Sequence, residues 1–317
     1  MVEQSKSEVA SEDTARVAAA LRHCGIYTDD HAGNLRQAQA LARALGVSAS
    51  LYKVSLRGLD RAFAPQFRRA SWQTLTIKPQ HTPPALAIGC GRAGAVALDA
   101  LKRAYPSSRT VQILDPRCTL KRFDLVICPE HDRLAGANVL SCLGALHGVD
   151  EQSLAEARTA WTQLGADPSP RTLLLLGAPT RHMHYTPADL RHLLMQLTGP
   201  LWISASRRTP AELRAVAQAR TDARYWGPDM EAPNPYAGML SWAQRIVVTP
   251  DSVNMVSEAC ATHAAVHLPW RQRARGKLAQ FVASVLPRLS ELQDFSTHVP
   301  LRETARVAAQ LVARLAC

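Results

Sequence analysis

The stretch Ile246-Val247-Val248-Thr249-Pro250-Asp251-Ser252-Val253-Asn254-Met255-Val256-Ser257-Glu258-Ala259 runs from apolar residues through a polar turn into a helix-forming segment. Residues 245–248 have the length and β-branched content of a strand buried on both faces. Pro250 ends the ladder, and Asp251 or Ser252 supplies the cap of a helix predicted over 252–261. The first N–H groups of such a helix lack intrahelical acceptors and lie at its positive pole, which favours an anion. Glu258 falls about two turns along, and Ser252 and Ser257 add hydroxyls near the same end. This layout suits a nucleoside diphosphate, with phosphate on the helix terminus and the carboxylate on the ribose hydroxyls. An ordinary capped helix with a surface glutamate would show the same periodicity.

Working outward, the same strand–turn–helix order recurs on both sides. Residues 24–27, 51–54, 83–88, 111–114 and 125–128 read as strands of one series, and 172–176, 201–204, 245–248 and 265–268 as those of a second. Helices are expected to follow Asn34, Gly94, Asp150 and Thr186, to open at Asn234-Pro235-Tyr236, and to lie over 302–315, the last free to pack on either half. Residues 15–21 read as a short lead-in helix. Asp167-Pro168-Ser169-Pro170 interrupts helix and ladder alike. Short apolar strands alternating with helices define an α/β fold, and 317 residues exceed one ordinary core. The expected organisation is a tail over 1–20, Rossmann-like domains over 21–150 and 151–290, and a C-terminal helix within 291–317.

The balance of 37 basic and 26 acidic residues leaves a charge of +11, which favours a nucleotide, a nucleic acid or an anionic membrane surface. Nucleic acid is not expected, because basic and aromatic residues do not interleave. Arg68-Arg69 and the run Arg271, Arg273, Arg275, Lys277 beside Trp270 are the dense clusters. The second reads either as a lipid-interface element or as a solvated helix face with one packed ring. No apolar stretch approaches the roughly 20 residues of a membrane span. The first residues, with Glu3, Glu8, Glu12 and Asp13, lack the apolar region of a secretory signal. Seven scattered cysteines without a C-x-x-C pair suit reduced thiols. The expected location is cytoplasmic, with peripheral attachment to the inner membrane face.

Three further motifs could carry chemistry. Gly89-Cys90-Gly91-Arg92-Ala93-Gly94 is either an anion-binding loop or a tight turn for close packing; no acid about 20 residues on supports a dinucleotide. His182 and His184 could share a cation, but no third ligand accompanies them, so no metal site is expected. Arg207-Arg208, after a strand, suit bidentate phosphate contacts or surface ion pairs equally.

The run from Asn234-Pro235-Tyr236 through Val266 resembles the signature of the mitochondrial-fission ELM family. Ala32-Gly33-Asn34, Gly91-Arg92, Gln112-Ile113, Asp115-Pro116-Arg117, Phe123-Asp124-Leu125-Val126, Pro129-Glu130-His131-Asp132, Gly144-Ala145-Leu146-His147 and Ser206-Arg207-Arg208-Thr209-Pro210 extend the likeness over most of the chain. Asp30-His31, Ala178 and His263-Ala264-Ala265 depart from it, standing for Gly-Arg, a second glycine and Gly-x-Pro. The C-terminal layout is also similar to that of GT-B glycosyltransferases, two Rossmann-like domains facing a cleft. This likeness implies metal-independent transfer, without a cofactor, from a UDP-linked sugar to a lipid-linked or surface-glycan acceptor. It places Glu258 on the ribose and Ser252 with the helix amides on the pyrophosphate. Gly177 to Thr180 would face the phosphates, and Ser204, Ser206, Arg207 and Arg208 would lie near the base and phosphates. Asn234, Tyr236, Asp251, Asn254, Met255 and Ser257 complete the expected donor set. Gly33, Asn34, Arg92, Arg117 and His131 form the expected acceptor set, and Glu130 and His31 are the candidate bases, ahead of Asp132. The alternative implied by the ELM likeness is a non-catalytic adaptor that binds a protein partner.

Overall fold

The computed structural model describes residues 23–56 and 83–316; the expected tail, its lead-in helix and the Arg68-Arg69 pair lie outside them. Two compact units result. The first comprises the described residues up to Gly148 together with those from Glu303 onward, and the second runs from Val149 to Arg302.

The first unit holds six parallel strands: β1 (His23–Thr28), β2 (Ser48–Lys53), β3 (Leu86–Cys90), β4 (Arg109–Ile113), β5 (Leu125–Pro129) and β6 (Val139–Cys142), in the order β2-β1-β3-β4-β5-β6. Every residue of β3 and β5 is buried, because helices cover both faces of the sheet. On one face Ile26, Ile88 and Val111 meet Ala38 and Leu41 of α1 (Ala32–Ala44). On the other, Tyr27, Ala87 and Val126 meet Val96, Leu98 and Leu101 of α2 (Gly91–Ala104). Helix α2 starts at Gly91, earlier than the expected start beyond Gly94. A Cβ on Gly94 would stand 2.8 Å from the Tyr27 carbonyl oxygen, so this glycine permits helix and sheet to touch.

The C-terminal helix (Glu303–Ala316) completes this first unit, with Val307, Ala308 and Leu311 entering the β1–β3 core face. It also protects the open edge at β6, which the sequence reading did not anticipate. Glu303 accepts from the Leu143 amide (2.8 Å), and Arg306 and Arg314 donate to the Ser141 and Ala137 carbonyls (2.7 Å each). Thr304 accepts from the His147 N–H and donates to its carbonyl.

The second unit carries β7 (Thr172–Leu176), β8 (Leu201–Ala205), β9 (Arg224–Trp226), β10 (Arg245–Val248) and β11 (Ala265–His267), parallel and ordered β11-β10-β7-β8-β9. Its helices are α3 (Glu151–Ala160), α4 (Pro187–Gln196), α5 (Ala211–Gln218), α6 (Tyr236–Trp242), α7 (Val253–Cys260) and α8 (Lys277–Val285). Capping boxes Asp150/Ser153 and Thr186/Asp189 fix the starts of α3 and α4. Residues 291–302, expected with the final helix, belong to this unit instead.

Each sheet reverses its winding once. The reversal falls between β1 and β3 in the first unit and between β7 and β10 in the second. Connections leave in opposite directions there, which opens a crevice at the carboxyl ends of those strands.

Candidate functional site

In the second unit, the reversal brings Gly177 at the end of β7 beside the turn that follows β10. Ser252 caps α7, its hydroxyl accepting from the Met255 amide at 3.4 Å. Asp251 does not cap; its side chain is wholly buried. Its Oδ2 accepts from the Ala178 amide (3.0 Å) and its Oδ1 from the Tyr185 hydroxyl (3.2 Å). Nη2 of Arg208 lies 3.9 Å from Oδ2. Burial pushes the Asp251 carboxyl up, opposed by its hydrogen bonds and by Arg208; burial and Asp251 likewise raise the Tyr185 phenol. Thr249 takes the Gly177 amide at 2.8 Å. Gly177 therefore makes room for Asp251 rather than offering its N–H to a ligand, which corrects the expected phosphate-facing role.

The rest of that loop is a tight reversal. Thr180 and Met183 exchange main-chain bonds (2.7 and 3.1 Å), and the Thr180 hydroxyl accepts from the His182 amide. His182 and His184 are exposed, and Arg181 donates to the His182 ring at 2.9 Å. After β8, the Ser206 and Thr209 hydroxyls pair at 3.0 Å and Thr209 bonds the Leu176 carbonyl, closing the turn onto β7. Ser204 is buried in the strand, while Arg207 and Arg208 project into solvent. Arg207 makes no hydrogen bond or ion pair among the described residues.

Glu258 lies buried on α7, 7% exposed, and accepts a hydrogen bond from the Tyr236 hydroxyl. Tyr236 opens α6, where the exposed Asn234 carboxamide accepts from its amide at 3.0 Å. This Asx turn gives the Asn-Pro-Tyr motif its physical meaning: it aims a phenol at a carboxylate 22 residues away. Asn254 and Met255 are part-buried in the first turn of α7. Ser257, expected to face a ligand, is 0% exposed.

In the first unit, Asp29 organises the end of β1. Its Oδ1 accepts from the His31 amide (3.1 Å) and Asn34 Nδ2 (2.9 Å), and its Oδ2 stands 2.9 Å from His31 Nδ1. Gly33 and Asn34 lie in the first turn of α1. Gly91 has φ +69°, and a Cβ there would meet Asn34 Nδ2 at 2.7 Å, so Asn34 joins both sides of the crevice. Arg92 is exposed on the first turn of α2; Arg117 (φ +55°) follows β4, its amide held by Asp115 at 2.8 Å.

Glu130 and His131 sit elsewhere, in the short helix Glu130–Asp132 after β5. Glu130 lines a recess of about 460 Å³ with Glu303 and Arg306 of the C-terminal helix. Three strand spacings of about 4.8 Å separate β5 from β1, roughly 14 Å in all, so Glu130 stands away from the crevice. Of the two expected bases, His31 is the one with a carboxylate, Asp29, against its imidazole. Sequence reasoning missed Asp29, Tyr185 and Thr249; only Asp29, beside Asp30 in a polar turn, carried a readable signal.

The basic run by Trp270 is a solvated, ion-paired surface. Trp270 stacks on Tyr185 (5.1 Å), Arg273 forks onto Asp189 (2.9 Å twice), and Arg271 pairs with Glu291 (2.8 Å). Among the described residues no helix is long and apolar enough to cross a membrane.

Two doubly wound parallel sheets, each with its own switch-point crevice, define a GT-B-like α/β protein. The structure of the UDP-GlcNAc 2-epimerase of Neisseria meningitidis bound to UDP-GlcNAc shares this fold, with TM-score 0.50 and 10% identity over 92% of this chain and 99% of that one. The chain belongs to the mitochondrial fission ELM1 family, which it matches over residues 32–315. It is 30% identical to the mitochondrial fission protein ELM1 of Arabidopsis thaliana over 74% of its own length, and that match spans 64% of the plant protein. It is 25% identical to the uncharacterized protein RP120 of Rickettsia prowazekii over 89% of this chain and 96% of the other.

Proposed function

We propose that the protein is a GT-B-type glycosyltransferase that takes a UDP-linked sugar in its second unit and passes it to a glycan or lipid-linked acceptor. The observation that carries this reading is the buried Glu258, held by Tyr236, on a Ser252-capped helix at the β7/β10 reversal. Glu258 reads the paired ribose hydroxyls. The α7 terminus with Arg207 and Arg208 offsets the charge of the leaving diphosphate. In the first unit Asp29 holds His31 through Nδ1, so that Nε2 can take the acceptor hydroxyl proton. The acceptor oxygen then bonds the sugar carbon as the bond to the diphosphate breaks. The basic surplus favours an acceptor at an anionic membrane surface. The epimerase that shares the fold is described with UDP-GlcNAc, which supports a UDP-linked donor.

A second reading, a non-catalytic adaptor that binds a protein partner, draws on the Gly177 and Ala178 amides. Both are already taken by Thr249 and Asp251. Calorimetric titration with UDP and UDP-GlcNAc separates the two. The transferase reading expects saturable binding that Glu258→Gln weakens at least about tenfold, the loss of a hydrogen bond to a charged group. Absence of nucleotide binding removes it and leaves the adaptor.

A further inference from the structure

At the amino-terminal ends of the second sheet, two arginines are buried without a carboxylate. Arg171 is 4% exposed and Arg245 2%, and neither makes an ion pair among the described residues. Arg171 directs its guanidinium to the main-chain oxygens of Leu164, Asp167 and Ser169, and lies over the rings of Trp202 and Trp242. Arg245 bonds the Thr172 hydroxyl and the Leu292 carbonyl, with the Phe295 ring 4.5 Å away. Burial holds the Arg245 guanidinium below its ordinary value. Their hydrogen bonds all go to neutral oxygens, and the exposed Asp167 carboxylate reaches Arg171 only through space, so a positive potential remains in a poorly hydrated region.

A cavity of about 420 Å³ adjoins them, within the size range of small-molecule sites. Pro170 and Gln244, chain neighbours of the two arginines, line it, as do Leu154, Leu240 and Phe295. So does Arg158, whose Nε donates to the Ser241 carbonyl at 2.8 Å and whose guanidinium shares the Trp242 ring with Arg171. The two terminal nitrogens of Arg158 have no hydrogen-bond partner among the described residues. Gln244 spends its Oε1 on the Arg171 amide (2.8 Å), and its side-chain NH2 has no partner among them either. The acids nearby are committed: Glu151 is shared by His263 (2.8 Å) and Arg302 (2.6 Å), and Asp167 takes the Ser169 amide (2.8 Å).

We infer that this cavity binds a small organic anion, a carboxylate or phosphate monoester on a flat apolar body. Arg158 contacts the anion, Arg171 and Arg245 supply the field, and Phe295, Leu154 and Leu240 cover the body. The cavity is one strand length, about 17 Å, from Gly177 and Ser252 at the other end of the sheet. It is therefore a site apart from the nucleotide crevice and does not depend on the proposed transfer.

The test is calorimetric titration of the full chain with benzoate, phenyl phosphate and the neutral benzamide. At least one anion is expected to saturate a single site, with benzamide at least about tenfold weaker. Whichever anion binds better identifies the head group. Arg158→Gln should cost a similar factor while leaving the UDP titration unchanged, and Arg158→Lys should recover part of it. Phe295→Ala should weaken the anion with Arg158 intact. The inference is overturned if neither anion binds, if benzamide matches them on the unaltered protein, or if Arg158→Gln titrates like it.

Discussion

A Cβ on Gly177 would stand 2.2 Å from Oδ2 of Asp251, so the glycine and the buried carboxylate share one space. Gly177→Ala must expel Asp251 from its bond to Ala178 or move the β7 loop. A loss of about 1–3 kcal/mol is expected, the range for overpacking a filled interior. Urea denaturation reads it, and an unchanged midpoint would mean that Asp251 lies elsewhere in solution.

Asp29→Asn tests the orientation of His31. The amide can mimic the shape of the carboxylate but not its charge, and it would present a donor or a neutral acceptor to Nδ1. If the first unit supplies the base, turnover of UDP-sugar should fall by roughly 10²–10⁴ with UDP affinity unaltered. Glu130→Gln, roughly 14 Å off by strand count, should spare turnover. The reverse ranking would restore Glu130.

Thr304→Val removes the hydroxyl that serves both main-chain polar groups of His147. The two side chains are near in shape, so the cost is that of leaving a buried amide and carbonyl unserved, about 1–3 kcal/mol. The loss should appear in the unfolding of the first unit. Hydrogen exchange at residues 139–147 should accelerate, while β7 and β10 keep their protection.

Asp189 gives the α4 end an acid-sensitive bond. The Arg273 guanidinium, followed by the Thr186 amide and hydroxyl, holds its carboxyl well below the ordinary 3.8. A depressed native value means that the unfolded chain binds the proton first. The stabilisation is therefore whole above 3.8 and fades as pH falls beneath it toward the lowered native value. The gap in melting temperature between the protein and Asp189→Asn should be widest near neutrality and close in acid. A gap that stays constant to pH 3 would dissociate the pair from stability.

Much of the architecture was legible because a parallel sheet buries both strand faces. Thr172–Leu176 and residues 246–248 stand as continuous apolar or β-branched runs between turn residues, and the strands form there. The two strands missed lie at sheet edges: Val139–Cys142 is four residues long, and Arg224–Trp226 is three residues with a charged start. Neither is long enough to show a period. In the site, the residue types could be read, but not their direction. Asp251 and Ser252 are equivalent caps on paper, and only the space left by Gly177 turns the first inward. Ser257 and Glu258 are neighbours on one helix and both are buried, yet it is Glu258 that meets Tyr236. Such choices depend on partners distant along the chain.

The C-terminal helix has a bearing on biosynthesis. A ribosome delivers β1 to β6 first, yet their sheet keeps a bare edge and an unfilled core face until Glu303–Ala316 emerges. The segment from Val149 to Arg302 contains all its own strands and can mature earlier. Order of completion thus inverts order of translation, and a nascent chain stalled before Glu303 would offer chaperones an exposed β6 and the apolar floor beneath Leu311.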